Sequence, residues 1–267
     1  MAYPTRALSL AAAVLAALGT TVPAPRGAAY TLAASLIEDA YIASNEAGTV
    51  HYNHPGSVDV GVYARNHPGV SRAGFLQFEI PAISSPATVT GVTVTGYWRN
   101  VYTGDLAAQV VGLDTDPDLT ALTWNSALAA GYITGRDGTD YRVLWGAEAV
   151  PFVGEGWSTA GWVLRQPAVY TDTTPGDGLL KFINDRRVQG VPLVVTLGVG
   201  GAADDTDYYF GLISSEANDT NPEPDLPAGY YAQTMELTLL EIPEPASLAV
   251  LALAGLALGR RGRRGES

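Results

Sequence analysis

Apolar and polar residues alternate along several short segments of the chain. The alternation is clearest in Thr88–Val101 and Ala232–Ile242, and this period of two is typical of a strand with one buried face. Other short segments rich in β-branched and aromatic residues lie between turn residues. The complete set of predicted strands is Ser35–Ile42, Val58–Tyr63, Arg72–Ile80, Thr88–Val101, Ala107–Leu113, Tyr141–Trp145, Gly161–Leu164, Val191–Val199, Tyr208–Ile213 and Ala232–Ile242.

Only one internal segment has the pattern of a helix. Asp177 is a suitable N-cap, Leu179–Ile183 supplies an apolar side, and Gly190 follows the end. Many short strands and one short helix predict an all-β fold, a two-sheet antiparallel jelly-roll-like β-sandwich with additional helices at the two ends. Alternating β–α units, which a parallel doubly wound fold requires, are missing from the pattern.

The first 29 residues differ from the body of the chain. Arg6 precedes an apolar stretch, Ala7–Leu18, and small residues follow at Val22–Ala24 and Gly27–Ala29. This is the layout of a secretory signal peptide with two candidate cleavage points, so residues 1–29 are predicted to direct export.

The C-terminal segment, residues 243–267, has three parts in order. Pro243, Glu244 and Pro245 precede an uncharged apolar stretch, Ala246–Leu258, and four arginines follow: Arg260, Arg261, Arg263 and Arg264. The apolar stretch favours a helix about 20 Å long, which spans a bilayer core of about 30 Å only marginally. The arginines favour the cytoplasmic side. The alternative is an ordinary C-terminal anchor.

This order of parts resembles the PEP-CTERM sorting signal of Gram-negative bacteria. The resemblance implies an exosortase-type transpeptidase as partner, which cuts near Pro243–Pro245 after the tail helix has held the chain in the membrane. It also implies localisation at the cell envelope, the outer surface or an extracellular polysaccharide matrix.

Charge and cysteine content limit the kinds of partner that the chain between its two terminal segments can bind. Residues 30–245 carry 9 of the 15 basic and 26 of the 27 acidic residues, a net charge of about −17, against −12 for the whole chain. Nucleic acid is therefore excluded as a partner, because binding it needs a basic surface. The chain has no cysteine, so disulfides and thiol chemistry are excluded as well.

Several ordered motifs carry a second resemblance. They are Glu38–Tyr41, Val58–Gly61, Arg72–Ile80, Leu122–Asn125, Phe210–Glu216 and Pro224–Leu226. Over residues 30–242 the chain resembles the DNRLRE-type domain, a jelly roll similar to carbohydrate-binding modules. It departs from that family at Glu79, where aspartate is more frequent, and in a longer acidic insert before the last strand. The resemblance implies a fold more directly than a ligand.

Tryptophans are the candidate ligand-binding residues. Trp145, Trp157 and Trp162 lie in Gly-rich, less regular sequence, and exposed indoles there would stack on the C–H faces of sugars. The alternative for each is a packing role. Trp98 and Trp124 are expected to be structural.

Asp114, Asp116 and Asp118 alternate in one short segment and are candidate ligands for a structural calcium ion. An EF-hand is excluded, since its sixth and twelfth positions would be Leu119 and Asn125. The alternative is a set of acidic turns with Asx caps.

No combination of residues identifies an enzyme. Gly156–Ala160 approaches a nucleophile elbow, but it lacks the final glycine and every histidine precedes the serine. We therefore expect an exported, non-catalytic polysaccharide-binding module. The alternatives are a structural or adhesion protein of the matrix without a specific ligand, and a polysaccharide-degrading enzyme.

Overall fold

The structure is a computed structural model, and the residues that it describes are 27–51, 61–66, 69–83, 87–101, 107–136, 143–200, 208–215 and 231–241. The chain from Ala29 to Glu241 forms one compact unit. Residues 1–26 of the predicted signal peptide and the sorting segment 243–267 lie outside the described residues, so both stay predictions.

The described residues form twelve strands, two α-helices and two 3₁₀ turns. The strands are β1 Ala29–Ala43, β2 Gly61–Asn66, β3 Arg72–Ile80, β4 Ala87–Val101, β5 Ala107–Leu113, β6 Ile133–Arg136, β7 Val143–Trp145, β8 Ala149–Ser158, β9 Pro167–Asp172, β10 Leu193–Gly200, β11 Tyr208–Ile213 and β12 Thr234–Glu241. The helices are α1 Trp124–Ala130 and α2 Gly178–Arg186, and the 3₁₀ turns are Ser44–Glu46 and Leu119–Ala121.

Antiparallel pairing arranges the long strands in two sheets. Sheet A contains the first part of β1, then β12, β4 and β9. Sheet B contains the second part of β1, then β3, β10, β5 and β8, and it continues from β3 through β2 and β11 to the end of β4. The predicted all-β, two-sheet antiparallel sandwich is confirmed, and β1 and β4 join its two sheets by contributing to both.

Alternating residues of both sheets fill the core between them. Met235, Leu237 and Leu239 of β12 are fully buried, and Val92 and Val94 of β4 pack in the same cluster. These are the positions that the alternation in the two segments assigned to the inner face. Each buried side chain of this size stabilises the fold by about 1.5–3 kcal/mol relative to an exposed one.

A segment inserted between β5 and β8 covers the outer face of sheet B. It contains α1 and the two-stranded sheet of β6 and β7, and it encloses a second apolar cluster against β1, β3 and β5. Phe75, Val111 and Leu113 contribute from the sheet, while Trp124 and Ile133 contribute from the insert. Both faces of sheet B are therefore buried in this region.

The sequence pattern did not predict α1. This helix has only seven residues, and Trp124 and Ala127 are its buried ones, so no helical period is visible. Its ends are nevertheless well defined, because Thr123 and Ser126 form a capping box and Gly131 closes the helix in the left-handed conformation, with φ of 80°.

The helix predicted after Asp177 is confirmed as α2. The Asp177 carboxylate accepts a hydrogen bond from the Gly178 amide at 2.7 Å, and the buried Asp172 at the end of β9 accepts one from the Leu180 amide at 2.7 Å. The Phe182 ring packs over β5, where a Cβ at Gly112 would lie 2.6 Å from it. Within the described residues, no helix is both long and apolar enough to cross a bilayer.

The predicted strand Gly161–Leu164 was wrong. These residues form part of the turn between β8 and β9, where Gly161 has φ of 67° and the Trp162 amide donates to the Thr159 carbonyl. Arg165 also has positive φ, at 64°. A strand needs extended backbone throughout, and the positive φ of Gly161 prevents it in this segment.

Candidate functional site

Trp157, a candidate sugar-stacking residue with a packing role as its alternative, has the packing role. Its side chain is 1% exposed and lies in the core between the sheets, with its ring 6.2 Å from that of Tyr170. The register of β8 against β5 shifts near the middle of the strand, so Phe152 and Trp157 both reach the core although five positions separate them. Such a bulge interrupts the period of two, and the sequence pattern therefore missed this burial.

Trp145 is half-buried and anchors the inserted segment on sheet B. Its indole lies over the backbone of β10, where a Cβ at Gly198 would be 2.6 Å from the ring and one at Gly200 would be 3.2 Å from it. The indole N–H donates to Gln109 Oε1 at 3.1 Å, and the ring meets Phe75 edge-on. These contacts give Trp145 a packing role.

Trp162 is also half-buried and packs against the core between the sheets. Its neighbours in the turn, Val163 and Leu164, are more than half exposed. Since Trp145 lies on the outer face of sheet B and Trp157 lies inside the sandwich, the three predicted tryptophans do not form one aromatic surface.

The three aspartates of the predicted calcium site have separate roles. Asp118 Oδ1 accepts from the amide and the hydroxyl of Thr120, at 3.0 and 2.6 Å, and so caps a 3₁₀ turn. Asp116 faces Arg186, while the exposed Asp114 uses its backbone amide to bond Glu148. The part of the chain that the structure describes has no group of three acidic or histidine side chains arranged to hold a metal.

Asp116 belongs to a polar network between the insert and sheet B. Buried Gln77 donates to the Pro117 carbonyl at 3.1 Å and to the Thr196 hydroxyl at 3.0 Å, and that hydroxyl donates to Asp116 at 3.3 Å. Burial raises the pKa of Asp116, and the Arg186 cation and the Thr196 hydrogen bond offset this rise only in part. The network holds the start of the insert, at Asp116 and Pro117, against sheet B.

His51 is the one histidine of the three that the structure describes, and it is buried. Its ring stacks on Tyr41 with 4.3 Å between centroids, and Nε2 lies 2.9 Å from Glu46 Oε2. This stacking fastens the segment after β1 to the sheet. His54 and His67 lie outside the described residues.

The outer side of sheet A presents a surface that was not among the sites predicted from the sequence. Directly opposite residues on paired antiparallel strands share a face, so the register fixes its composition. Six threonines from four strands form this surface, which we call the threonine face: Thr31, Thr93, Thr95, Thr171, Thr234 and Thr238. Within the described part of the chain these threonines are exposed or half-exposed.

The threonine face is arranged in rows that cross the strands. The middle row contains Ala33, Glu236, Thr93 and Thr171; one neighbouring row contains Thr31, Thr238 and Gly91, and the other contains Thr234, Thr95 and Val169. Neighbouring strands lie about 4.8 Å apart, and same-face residues on one strand lie about 6.7 Å apart. The hydroxyls thus form a grid on an open sheet.

Local contacts hold parts of this grid in place. The hydroxyl oxygens of Thr93 and Thr171 lie 3.3 Å apart, within hydrogen-bond distance. A Cβ added at Gly91 would lie 3.5 Å from Thr173 and 3.6 Å from Thr238, so a shallow gap separates these two side chains. Glu236 is the only charged residue among the described members of the three rows.

No protein-family model matches the chain, and no curated protein matches it either. The assignment of function therefore rests on the residues and their geometry.

Proposed function

We propose that the chain is an exported protein of the cell envelope or extracellular matrix, and that its β-sandwich binds polysaccharide without cleaving it. The observation that supports binding is the threonine face, an open sheet surface with hydroxyls from four strands. The two terminal segments of the sequence support export and sorting.

Threonine side chains suit the chemistry of sugars. Each offers a hydroxyl that donates and accepts hydrogen bonds, and a methyl group that packs against C–H groups of a sugar ring. Small molecules usually occupy concave pockets, whereas the threonine face is a sheet surface. A surface of this kind favours a long polymer, because many weak contacts add up along its length.

The two most buried carboxylates described in the sandwich have structural partners, which supports a role without catalysis. Asp39 accepts hydrogen bonds from the Ser214 hydroxyl and the Ser215 amide, both at 2.8 Å. Asp172 accepts from the amides of Thr174 and Leu180, at 2.8 and 2.7 Å. These donors fix both carboxylates in place within the fold, whereas a glycosidase needs one acid that is free to donate a proton to the leaving group.

Binding is tested by electrophoresis of the full chain through native gels that contain neutral or acidic polysaccharides. Retardation by at least one polysaccharide, with no release of new reducing ends on prolonged incubation, is the expected result. Release of sugar ends would replace the proposal with an enzyme. No retardation across a broad panel would contradict binding and leave a structural matrix protein as the better account.

Sorting is tested separately in a bacterium that carries an exosortase. We expect the exported chain to lose its tail near Pro243–Pro245, as measured by intact mass, and the Glu244→Ala variant to keep it. A wild-type chain that retains residues 246–267 at the cell surface would contradict this part of the proposal and favour an ordinary C-terminal anchor.

A further inference from the structure

We infer that the threonine face binds an uncharged polysaccharide and discriminates against acidic ones. This inference rests on the proposed function and specifies its site and its ligand class. The inference is based on the hydroxyls that four paired strands present beside a single carboxylate, that of Glu236. The described members of the three rows include no cationic side chain.

Charge determines which polymers the face accepts. An acidic polysaccharide carries carboxylate or sulfate groups, and proteins bind such groups with arginine or lysine. The rows of the threonine face offer none, and Glu236 lies in the middle row between Ala33 and Thr93. The body of the chain is itself strongly acidic, so a polyanion is also repelled at longer range.

Hydroxyls at this spacing are suited to an uncharged sugar chain. Thr93 and Thr171 in the middle row, and Thr31 and Thr238 in a neighbouring row, present hydroxyls from adjacent strands, and such strands lie about 4.8 Å apart. The hydroxyls of Thr93 and Thr171 lie near each other at 3.3 Å, so one can donate while the other accepts. Paired hydroxyls of this kind can bond a sugar hydroxyl as donor and acceptor together.

Valine substitutions remove hydroxyls from the threonine face but keep its shape. Thr93→Val and Thr238→Val replace a hydroxyl with a methyl group of nearly equal size and keep a residue that favours strands. The matched control is Thr134→Val in β6, an exposed strand threonine of the insert whose hydroxyl donates to the Leu144 carbonyl. Thermal unfolding midpoints establish that each variant is folded.

The test uses the full chain in gels that contain hydroxyethylcellulose, which is neutral, or alginate, which is acidic. We expect retardation in hydroxyethylcellulose only, and a rise of about tenfold in its dissociation constant for the double variant, because each lost hydrogen bond weakens binding by about threefold. The control variant and added chelator should change nothing.

Other outcomes overturn the inference in distinguishable ways. Retardation by alginate alone would contradict the charge argument but leave polysaccharide binding in place. Equal retardation of wild type and the double variant would place binding elsewhere on the sandwich. A wild-type dimer that the double variant converts to a monomer in light scattering would identify the face as a contact between copies of the chain. Retardation by neither polymer would overturn both this inference and, with the broader panel, the proposed function.

Discussion

The indole of Trp145 covers the backbone of Gly198 so closely that a Cβ at this glycine would lie 2.6 Å from the ring. This contact joins the insert between β5 and β8 to the strand at the centre of sheet B. It also explains why a tryptophan that the sequence offered as a sugar-stacking residue has a packing role instead.

Gly198→Ala should destabilise the chain. The added methyl group collides with the Trp145 ring and with Val111 Cγ2, 2.9 Å away, so either the indole or the strand must shift. Overpacking of this kind costs about 1–3 kcal/mol. Urea unfolding followed by tryptophan fluorescence measures the loss. A variant as stable as wild type would show that Trp145 moves aside without cost.

Gly91→Ala should have the opposite effect and serves as the matched control. A Cβ at this position meets Thr173 and Thr238 at 3.5–3.6 Å, which is ordinary contact, and the position needs no positive φ. Alanine restricts the unfolded chain more than glycine does, so we expect a gain of about 0.5–1 kcal/mol. A loss of stability in the same unfolding experiment would contradict the geometry of the threonine face.

Asp172→Ala should weaken the attachment of α2 to sheet A. The carboxylate is 1% exposed and accepts from two backbone amides, so its removal leaves the buried Leu180 amide without this acceptor. We expect a loss of about 3 kcal/mol, since hydrogen bonds to a charged group are involved. Asp177→Ala, which removes a single cap, should cost only about 1 kcal/mol. Equal losses would be inconsistent with the two roles.

Asp116 should make stability depend on pH in a defined direction. Because burial raises its pKa in the folded chain above the usual 3.8, the folded state holds this proton more tightly than the unfolded state. The stability from this group is complete below pH 3.8 and is lost as the pH rises through the folded pKa. The free energy of unfolding of wild type minus that of Asp116→Asn should therefore decrease from pH 3 to pH 7.

Arg186→Met provides the control for this titration. Arg186 Nη2 lies 3.8 Å from Asp116 Oδ2 and lowers the pKa of Asp116, so its removal should extend the loss of stability to higher pH. A difference curve that rises with pH would mean that the ion pair outweighs burial and that the direction of the shift is wrong.

Regular alternation was sufficient to predict much of the sandwich. In β12, Met235, Leu237 and Leu239 are buried and Thr234 and Glu236 are exposed, as the period of two requires. The cap at Asp177 with its apolar helix side likewise identified α2. Where a bulge interrupts β8, or where α1 offers only seven residues, the pattern carried no usable period.

The sequence pattern could not predict the candidate site, and the reason was a different one. Thr31 and Thr238 face each other although about 200 residues separate them, and Thr93 meets both β12 and β9. The alternation showed that individual threonines point outward, but only the pairing of β1, β12, β4 and β9 collects them on one surface. Long-range strand pairing of this kind leaves no local signal.

Polysaccharide binding by the threonine face is best measured as the dissociation constant of the full chain for hydroxyethylcellulose, from retardation across a series of polymer concentrations. We expect saturable retardation of wild type and of Thr134→Val, and about tenfold weaker binding by the Thr93→Val, Thr238→Val double variant at unchanged unfolding temperature. Wild-type migration that is independent of polymer concentration, or equal binding by the double variant, would contradict this expectation.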